Sequence, residues 1–244
     1  MSHLREGREL DVTVEPVTLA LDAVDVPAVH ARPDGMPRAG VVLHPDIGGL
    51  RPLFEDMARR LATHGLSVCA VEPFAGVPVE ERATMEQRFA RVGDLDDQQQ
   101  LEMLSSAADL LVVEDGVLRV CVLGFCMGGL YTFKAAASER FDAAVSFYGM
   151  LRTPPDWKQA GHTIEPLDVA AQMCPTLAIF GSADPYTPAA DIDALRAAWN
   201  HRPDCEIVVI DGAEHGFVHD PDRPAHRAAD AAACWDRAIS WMLG

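Results

Sequence analysis

From about residue 40 onward, short apolar runs alternate with longer amphipathic stretches, and this alternation most limits the folds open to the chain. The runs are "AGVVLH", "LSVCAV", "LRVCVLG", "FDAAVSFYG", "CPTLAIFG" and "CEIVVIDG", bounded by Gly, Pro, Asp or Asn. Runs this short and this apolar read as strands covered on both faces. Between them lie helical stretches: "LFEDMARRLATHG", "VEERATMEQRFARV", "LDDQQQLEMLSSAADLLVV", "GGLYTFKAAASER", "PAADIDALRAAWN" and "RPAHRAADAAACWDRAISWML". In the third, Leu101, Leu104, Ala108 and Leu111 share one helix face. Such alternation implies a mainly parallel, doubly wound sheet with helices on both faces and functional loops at the carboxyl ends of its strands. Upstream, "LDVTVEPVTLALDAVDVPAVHARP" alternates with period two and is broken by Asp and Pro, which predicts antiparallel strands at the N-terminal edge of the sheet. With 244 residues, 49% of them hydrophobic, the chain is long enough for one sizeable core. The expectation is a single domain over 1–244.

Charge narrows the partners. The formal net charge of -17 repels polyanions, so nucleic acid is not an expected partner. The start "MSHLREGRELDVTVEP" has no apolar signal segment, and no apolar run approaches the ~18 residues that span a bilayer. A cytoplasmic protein that does not engage membranes is expected, as a monomer or a small homo-oligomer. Six cysteines, Cys69, Cys121, Cys126, Cys174, Cys205 and Cys234, form no C-x-x-C pair, which argues against disulfides and structural zinc.

The chemistry centres on "VCVLGFCMGGL", where Gly124-Phe125-Cys126-Met127-Gly128 runs from a strand into a helix. This is the nucleophile-elbow pattern with Cys in place of Ser. Glycines are needed there because the nucleophile's backbone is strained and the helix passes close to the strand. The helix N-terminus favours a thiolate, whereas Cys121, within the strand, reads as core. An acid and a histidine follow on the loops after the next strands, Asp184 in "GSADPYTP" and His215 in "DGAEHGF". In this reading His215 takes the proton of Cys126 while Asp184 fixes its tautomer. Asp184 also fits a simple Asp-Pro turn, with Asp211 and Glu214 as the alternative acids. His3, His30, His64, His162, His201 and His226 lack strand-end context and read as solvated. The loop "HPDIGG" supplies a second oxyanion donor: the backbone N–H groups of Ile47 and Met127 are the candidate pair. A phosphate loop is disfavoured there, since G-x-G-x-x-G and a Lys are absent. The irregular stretch from Gly149 to Met173 has the character of a lid and makes Trp157 a candidate substrate contact.

Taken together, "HPDIGG", "GFCMGG", "FYG", "GSADPYTP" and "GAEHGF" resemble the dienelactone hydrolases, cysteine members of the α/β-hydrolase superfamily, over essentially the full length. The resemblance implies an α/β-hydrolase fold, a triad of Cys126, Asp184 and His215, oxyanion donors at Ile47 and Met127, no cofactor or metal, and a small ester or lactone as substrate. It implies a nucleophile-modulating role for Asp46, which stands where the family often has a Glu that restrains the resting cysteine. His219 replaces an Arg that helps to hold a substrate carboxylate, and the second arginine falls near the helix carrying Arg82, Arg88 and Arg91. His219 lacks the permanent charge and fork of Arg, so a neutral or differently held ester is expected. Arg82, Phe125 and Tyr148 complete the candidate substrate contacts. The rival to a hydrolase is a binding or sensing protein that keeps the fold and has lost turnover; the complete Cys-Asp-His set argues against it.

Overall fold

The computed structural model of the protein describes residues 4–8 and 11–244. Eight strands form one sheet: β1 (Val12–Ala20), β2 (Asp25–Pro33), β3 (Ala39–His44), β4 (Leu66–Val71), β5 (Val120–Phe125), β6 (Ala143–Phe147), β7 (Thr176–Gly181) and β8 (Glu206–Ile210). Their spatial order is β1-β2-β4-β3-β5-β6-β7-β8. The first two strands are an antiparallel hairpin pairing Val12 with Pro33 through Ala20 with Asp25, and β2 joins β4 antiparallel. From β4 to β8 every pairing is parallel. This is the α/β-hydrolase arrangement expected from the sequence, with its antiparallel strands at the N-terminal edge.

The helices are α1 (Pro52–Ala62), α2 (Met85–Val92), α3 (Asp97–Asp115), α4 (Met127–Ala136), α5 (Pro166–Val169), α6 (Ala189–Ala198) and α7 (Ala228–Leu243). Side chains along β5 show how two cores arise from one strand. Cys121, Leu123 and Phe125 face a cluster with Phe54, Met57 and Leu61 of α1 and Trp235 of α7. Val120 and Val122 face the opposite cluster, with Leu104 and Leu111 of α3, Phe133 of α4 and Leu195 of α6. Successive strand side chains point to opposite faces, so a strand buried on both sides must be apolar throughout, and all six residues of β5 are buried. Cys121 is core as expected, and burial pushes its thiol up to about 12.

Three expectations need correction. The stretch 79–92 is not one helix: a short 3-10 turn over Val79–Glu81 ends before α2, which begins afresh with a capping box between Thr84 and Gln87. The last helix starts at Ala228 rather than Arg223, because Arg223 and His226 close turns on Asp220 and Arg223. His30 and His162 are not solvated, at 2% and 7% exposure. His30 Nε2 lies 2.8 Å from Asp115 Oδ2 and 3.1 Å from Ser67 Oγ, tying the end of α3 to the sheet edge.

The segment 149–173 is ordered by a buried charge pair. Lys134 Nζ on α4 donates to Asp97 Oδ1 at 2.6 Å, and both side chains are essentially inaccessible to water. Asp97 Oδ2 accepts the backbone N–H groups of Thr163 and Ile164, each at 2.8 Å. An ion pair this deep is worth little relative to an apolar replacement of both partners, but losing one partner strands the other charge. Lys134→Met is therefore expected to cost about 3 kcal/mol in a urea titration at neutral pH. A loss below about 1 kcal/mol would mean that Asp97 is not held by this pair.

Candidate active site

The turn between β5 and α4 carries Cys126 at φ 56°, ψ -116°, a conformation that side chains other than glycine rarely adopt. It is held on one side by a hydrogen bond from Cys126 N to Phe147 O at 3.0 Å and on the other by Leu130 N to Cys126 O at 3.0 Å. The close approach of helix to strand explains the flanking glycines. A Cβ on Gly124 would stand 2.2 Å from the Gly128 carbonyl oxygen, and one on Gly128 would stand 2.3 Å from that of His44. Real Cβ atoms essentially never come this close, so neither position accepts a side chain without movement of the backbone.

His215 and Asp184 arrive from the loops after β8 and β7. Asp184 Oδ2 lies 2.7 Å from His215 Nδ1, and its Oδ1 accepts the N–H of Tyr186 at 2.8 Å. The alternative acids are occupied elsewhere or exposed: Asp211 accepts from Ser182, and Glu214 lies in solvent. His215 also hydrogen-bonds Cys126, which leaves the ring nitrogen opposite Asp184 for the sulfur. Burial works against a charged imidazole here, yet the pKa of His215 is raised to about 10 by the charge and hydrogen bond of Cys126 and by Asp184. Met127 N opens α4 and Ile47 N lies inside the turn that Gly49 N closes on Asp46 O; among the described residues neither donates to an intramolecular acceptor.

Asp46 is the hub of a second, buried network. Its Oδ1 accepts Gly48 N at 2.8 Å and Arg51 Nη1 at 2.5 Å, while Oδ2 accepts Arg51 Nη2 at 3.0 Å and lies 2.8 Å from His219 Nε2. On the other side of the ring, His219 Nδ1 meets the Tyr148 hydroxyl. Burial pushes the pKa of His219 down and that of Tyr148 up, so both are neutral. One proton pattern then fits: Tyr148 O–H donates to Nδ1, and Nε2–H donates to Asp46. Burial alone would raise the Asp46 pKa, but His219 and Arg51 hold it well below the usual carboxylate range.

A cavity of about 550 Å³ opens over Cys126 and His215. Asp46, Ile47 and Trp157, three of the sequence-derived candidates, line it, together with Arg51, Arg88 and Arg223. His219, Arg82, Phe125 and Tyr148 do not, which corrects their assignment as substrate contacts. His219 is fully buried beneath the site, stacked on Phe54 at 5.9 Å between ring centroids. Arg82 turns back to Glu72 Oε2 at 2.9 Å and to the carbonyl of Val77. Phe125 packs on Phe147 at 4.8 Å, and Tyr148 supports His215 edge-on at 5.2 Å. Met85, Phe89, Met150 and Tyr186 complete an apolar part of the lining that strand-end patterns did not point to.

An elbow cysteine on a mainly parallel sheet, with an acid and a histidine on successive strand-end loops, defines an α/β-hydrolase. The family model for the "Dienelactone hydrolase family" matches residues 26–243, and the chain belongs to that family. A "putative carboxymethylenebutenolidase" of Methylorubrum extorquens is 30% identical, the match covering 89% of this chain and 76% of the relative. The carboxymethylenebutenolidase of Rhodococcus opacus is 27% identical over 89% and 85% of the two chains. Among solved structures, a "putative dienelactone hydrolase" from Klebsiella pneumoniae superposes with a TM-score of 0.85 at 26% identity, covering 95% of this chain and 98% of that one.

The Asp46 network gives a pH signature of known sign. A carboxylate whose pKa falls on folding stabilises the fold above its unfolded value of about 4, and loses that contribution as pH falls through the folded value. Asp46→Asn is expected to destabilise by on the order of 2 kcal/mol at pH 7. The gap from wild type should narrow below about pH 4. A gap measured by urea unfolding that stays constant from pH 7 to pH 3 would show that ionised Asp46 is not the stabilised form.

Proposed function

We propose that the protein hydrolyses a small carboxylic ester or lactone through a covalent acyl-enzyme on Cys126. The observation that carries this reading is the chain from Asp184 through His215 to Cys126, ending on a backbone-strained cysteine in the floor of the cavity. In the first half-reaction the Cys126 sulfur attacks the carbonyl carbon and forms a C–S bond. The carbonyl electron pair moves to oxygen, where the N–H groups of Ile47 and Met127 stabilise it by on the order of 3 kcal/mol each. Collapse breaks the C–O bond, and His215 gives its proton to the departing alkoxide. In the second half-reaction His215 takes a proton from water, the hydroxide forms a C–O bond at the acyl carbon, and the C–S bond breaks to return the thiolate. Asp184 keeps the imidazole oriented and supports its positive charge in both halves.

The raised pKa of His215 gives this scheme a resting state. An imidazole that is protonated at rest means that the proton needed by the leaving group is already in place. Asp46 has no part in proton transfer. With its lone pairs taken by Arg51, His219 and Gly48, it fixes the loop from which Ile47 N is presented.

The cavity also bears on the charge of the substrate. Arg88 Nη1 is buried with no hydrogen-bond partner, and Arg223 lines the same cavity. A guanidinium N–H left dry and unpaired is costly unless a ligand oxygen completes it. An ester or lactone carrying a carboxylate on Arg88 and Arg223 meets that need, held differently from the pattern that would require a charged group at position 219.

Cys126→Ala is expected to abolish steady-state hydrolysis of phenyl acetate. Asp184→Asn should lower kcat by roughly a thousandfold or more while leaving KM within a few-fold. Turnover by the Cys126→Ala protein at wild-type rate would overturn the reading. Wild-type turnover with no pre-steady-state burst and no sensitivity to Asp184→Asn would overturn the role of the triad.

A further inference from the structure

Large apolar side chains left in water need a reason when they gather in one place. Met85, Phe89 and Tyr186 are 49%, 47% and 52% exposed, and all three line the cavity. Other exposed apolar residues, such as Met36, Val113 and Leu118, lie outside it. Met85 and Phe89 stand four residues apart and so share one face of α2. That helix buries only Val92 in the core, and its capping box at Thr84 lets it start independently of the preceding 3-10 turn. Its apolar face therefore serves the cavity instead of the sheet. On the same lining, Tyr186 meets His215 at 4.8 Å between ring centroids, edge-on, and buried Trp157 adds a further aromatic ring.

We propose that Met85, Phe89, Tyr186 and Trp157 form an apolar subsite for the alcohol half of the substrate, so that the preferred substrates are esters of aromatic or bulky apolar alcohols. The inference rests on the hydrolytic reading above, because it uses the position of His215. The imidazole that protonates the leaving oxygen must face the alcohol half, and of the two aromatic rings against that imidazole, Tyr148 and Tyr186, only Tyr186 lines the cavity. A flat leaving group stacked there extends towards Phe89 and Met85, and it removes from water the apolar surface these residues expose. The acyl half then points towards the arginine wall. Recognition of the two halves falls to different side chains of one lining, and α2 contributes to both through Arg88 and Phe89.

The test compares 1-naphthyl acetate with vinyl acetate, two acetates whose alcohol halves differ in size, on a Met85→Ser, Phe89→Ser double variant. Both positions are half exposed, and far-UV circular dichroism verifies that the variant folds. The expected result is a KM for 1-naphthyl acetate raised about tenfold with kcat within twofold, while kcat/KM for vinyl acetate changes less than about twofold. Val113→Ser, on the exposed side of α3, should leave both esters unchanged. Equal effects on the two esters, or none on either, would overturn the subsite. A fluorescence titration of 1-naphthol into the Cys126→Ala protein needs no turnover. There the double variant should weaken binding by about fivefold or more, and an unchanged Kd would overturn the subsite. If wild type hydrolyses neither ester, the hydrolytic reading falls, while the naphthol titration still decides whether α2 forms an apolar site.

Discussion

The backbone of Cys126 is the constraint around which the rest of the site is arranged. A cysteine at φ 56° is strained by on the order of 1–3 kcal/mol, and it persists only because its surroundings determine it. Here β5 and β6 fix the incoming strand, α4 begins at the next residue, and two glycines, Gly124 and Gly128, let helix, strand and the His44 loop come closer than side chains allow. The result is a sulfur lifted out of the sheet to the floor of a cavity, with the first N–H of a helix beside it. Cys121 shows the same side chain without that constraint: flat in β5, fully buried, with its thiol pushed up to about 12. The strain is what separates a side chain presented to the cavity from one sealed in the core five residues away.

Around the cysteine, charge is organised in two layers. The upper layer is Cys126, His215 and Asp184, where burial is outweighed by partners and the imidazole is held in its charged form. The lower layer is Tyr148, His219, Asp46 and Arg51, where two neutral groups and one ion pair satisfy one another. Tyr148 joins them, its hydroxyl bonded to His219 below and its ring against His215 above. Because the lower layer is internally complete, it supports the upper one without drawing on the hydrogen bonds of His215.

Much of this was legible in the sequence, for physical reasons. Each of Cys126, Asp184 and His215 follows a short apolar run and sits beside glycine or in a turn, so strand ends could be located by counting apolar stretches. The cavity walls were less legible, because which way a helical side chain faces depends on where its helix begins. Read as one helix over 79–92, Arg82 and Arg88 have comparable claims; the break before Thr84 turns Arg82 to Glu72 and leaves Arg88 on the cavity. His219 illustrates a second limit. The family resemblance implied a substrate contact there, but Gly216 at φ 78° opens a turn that sends His219 beneath the site. Arg223 reaches the wall because Pro224 and the turns around it delay the last helix, and Tyr186 does so because the Asp184 turn holds its N–H. His30 and His162 were read as solvated since neither strand pairing nor an acidic partner such as Asp115, remote in sequence, can be seen from local pattern.

The central claim is that Cys126 forms a covalent bond with the acyl group during turnover. The most direct measurement is rapid acid quench of the protein mixed with phenyl acetate, followed by peptide mapping by mass spectrometry. The account predicts one acetyl group on the peptide containing Cys126, present within the first turnover and lost as substrate is exhausted. It also predicts that the label persists longer in a His215→Ala protein pre-acylated with a more activated ester. Turnover with no acetyl on that peptide at any quench time would contradict it.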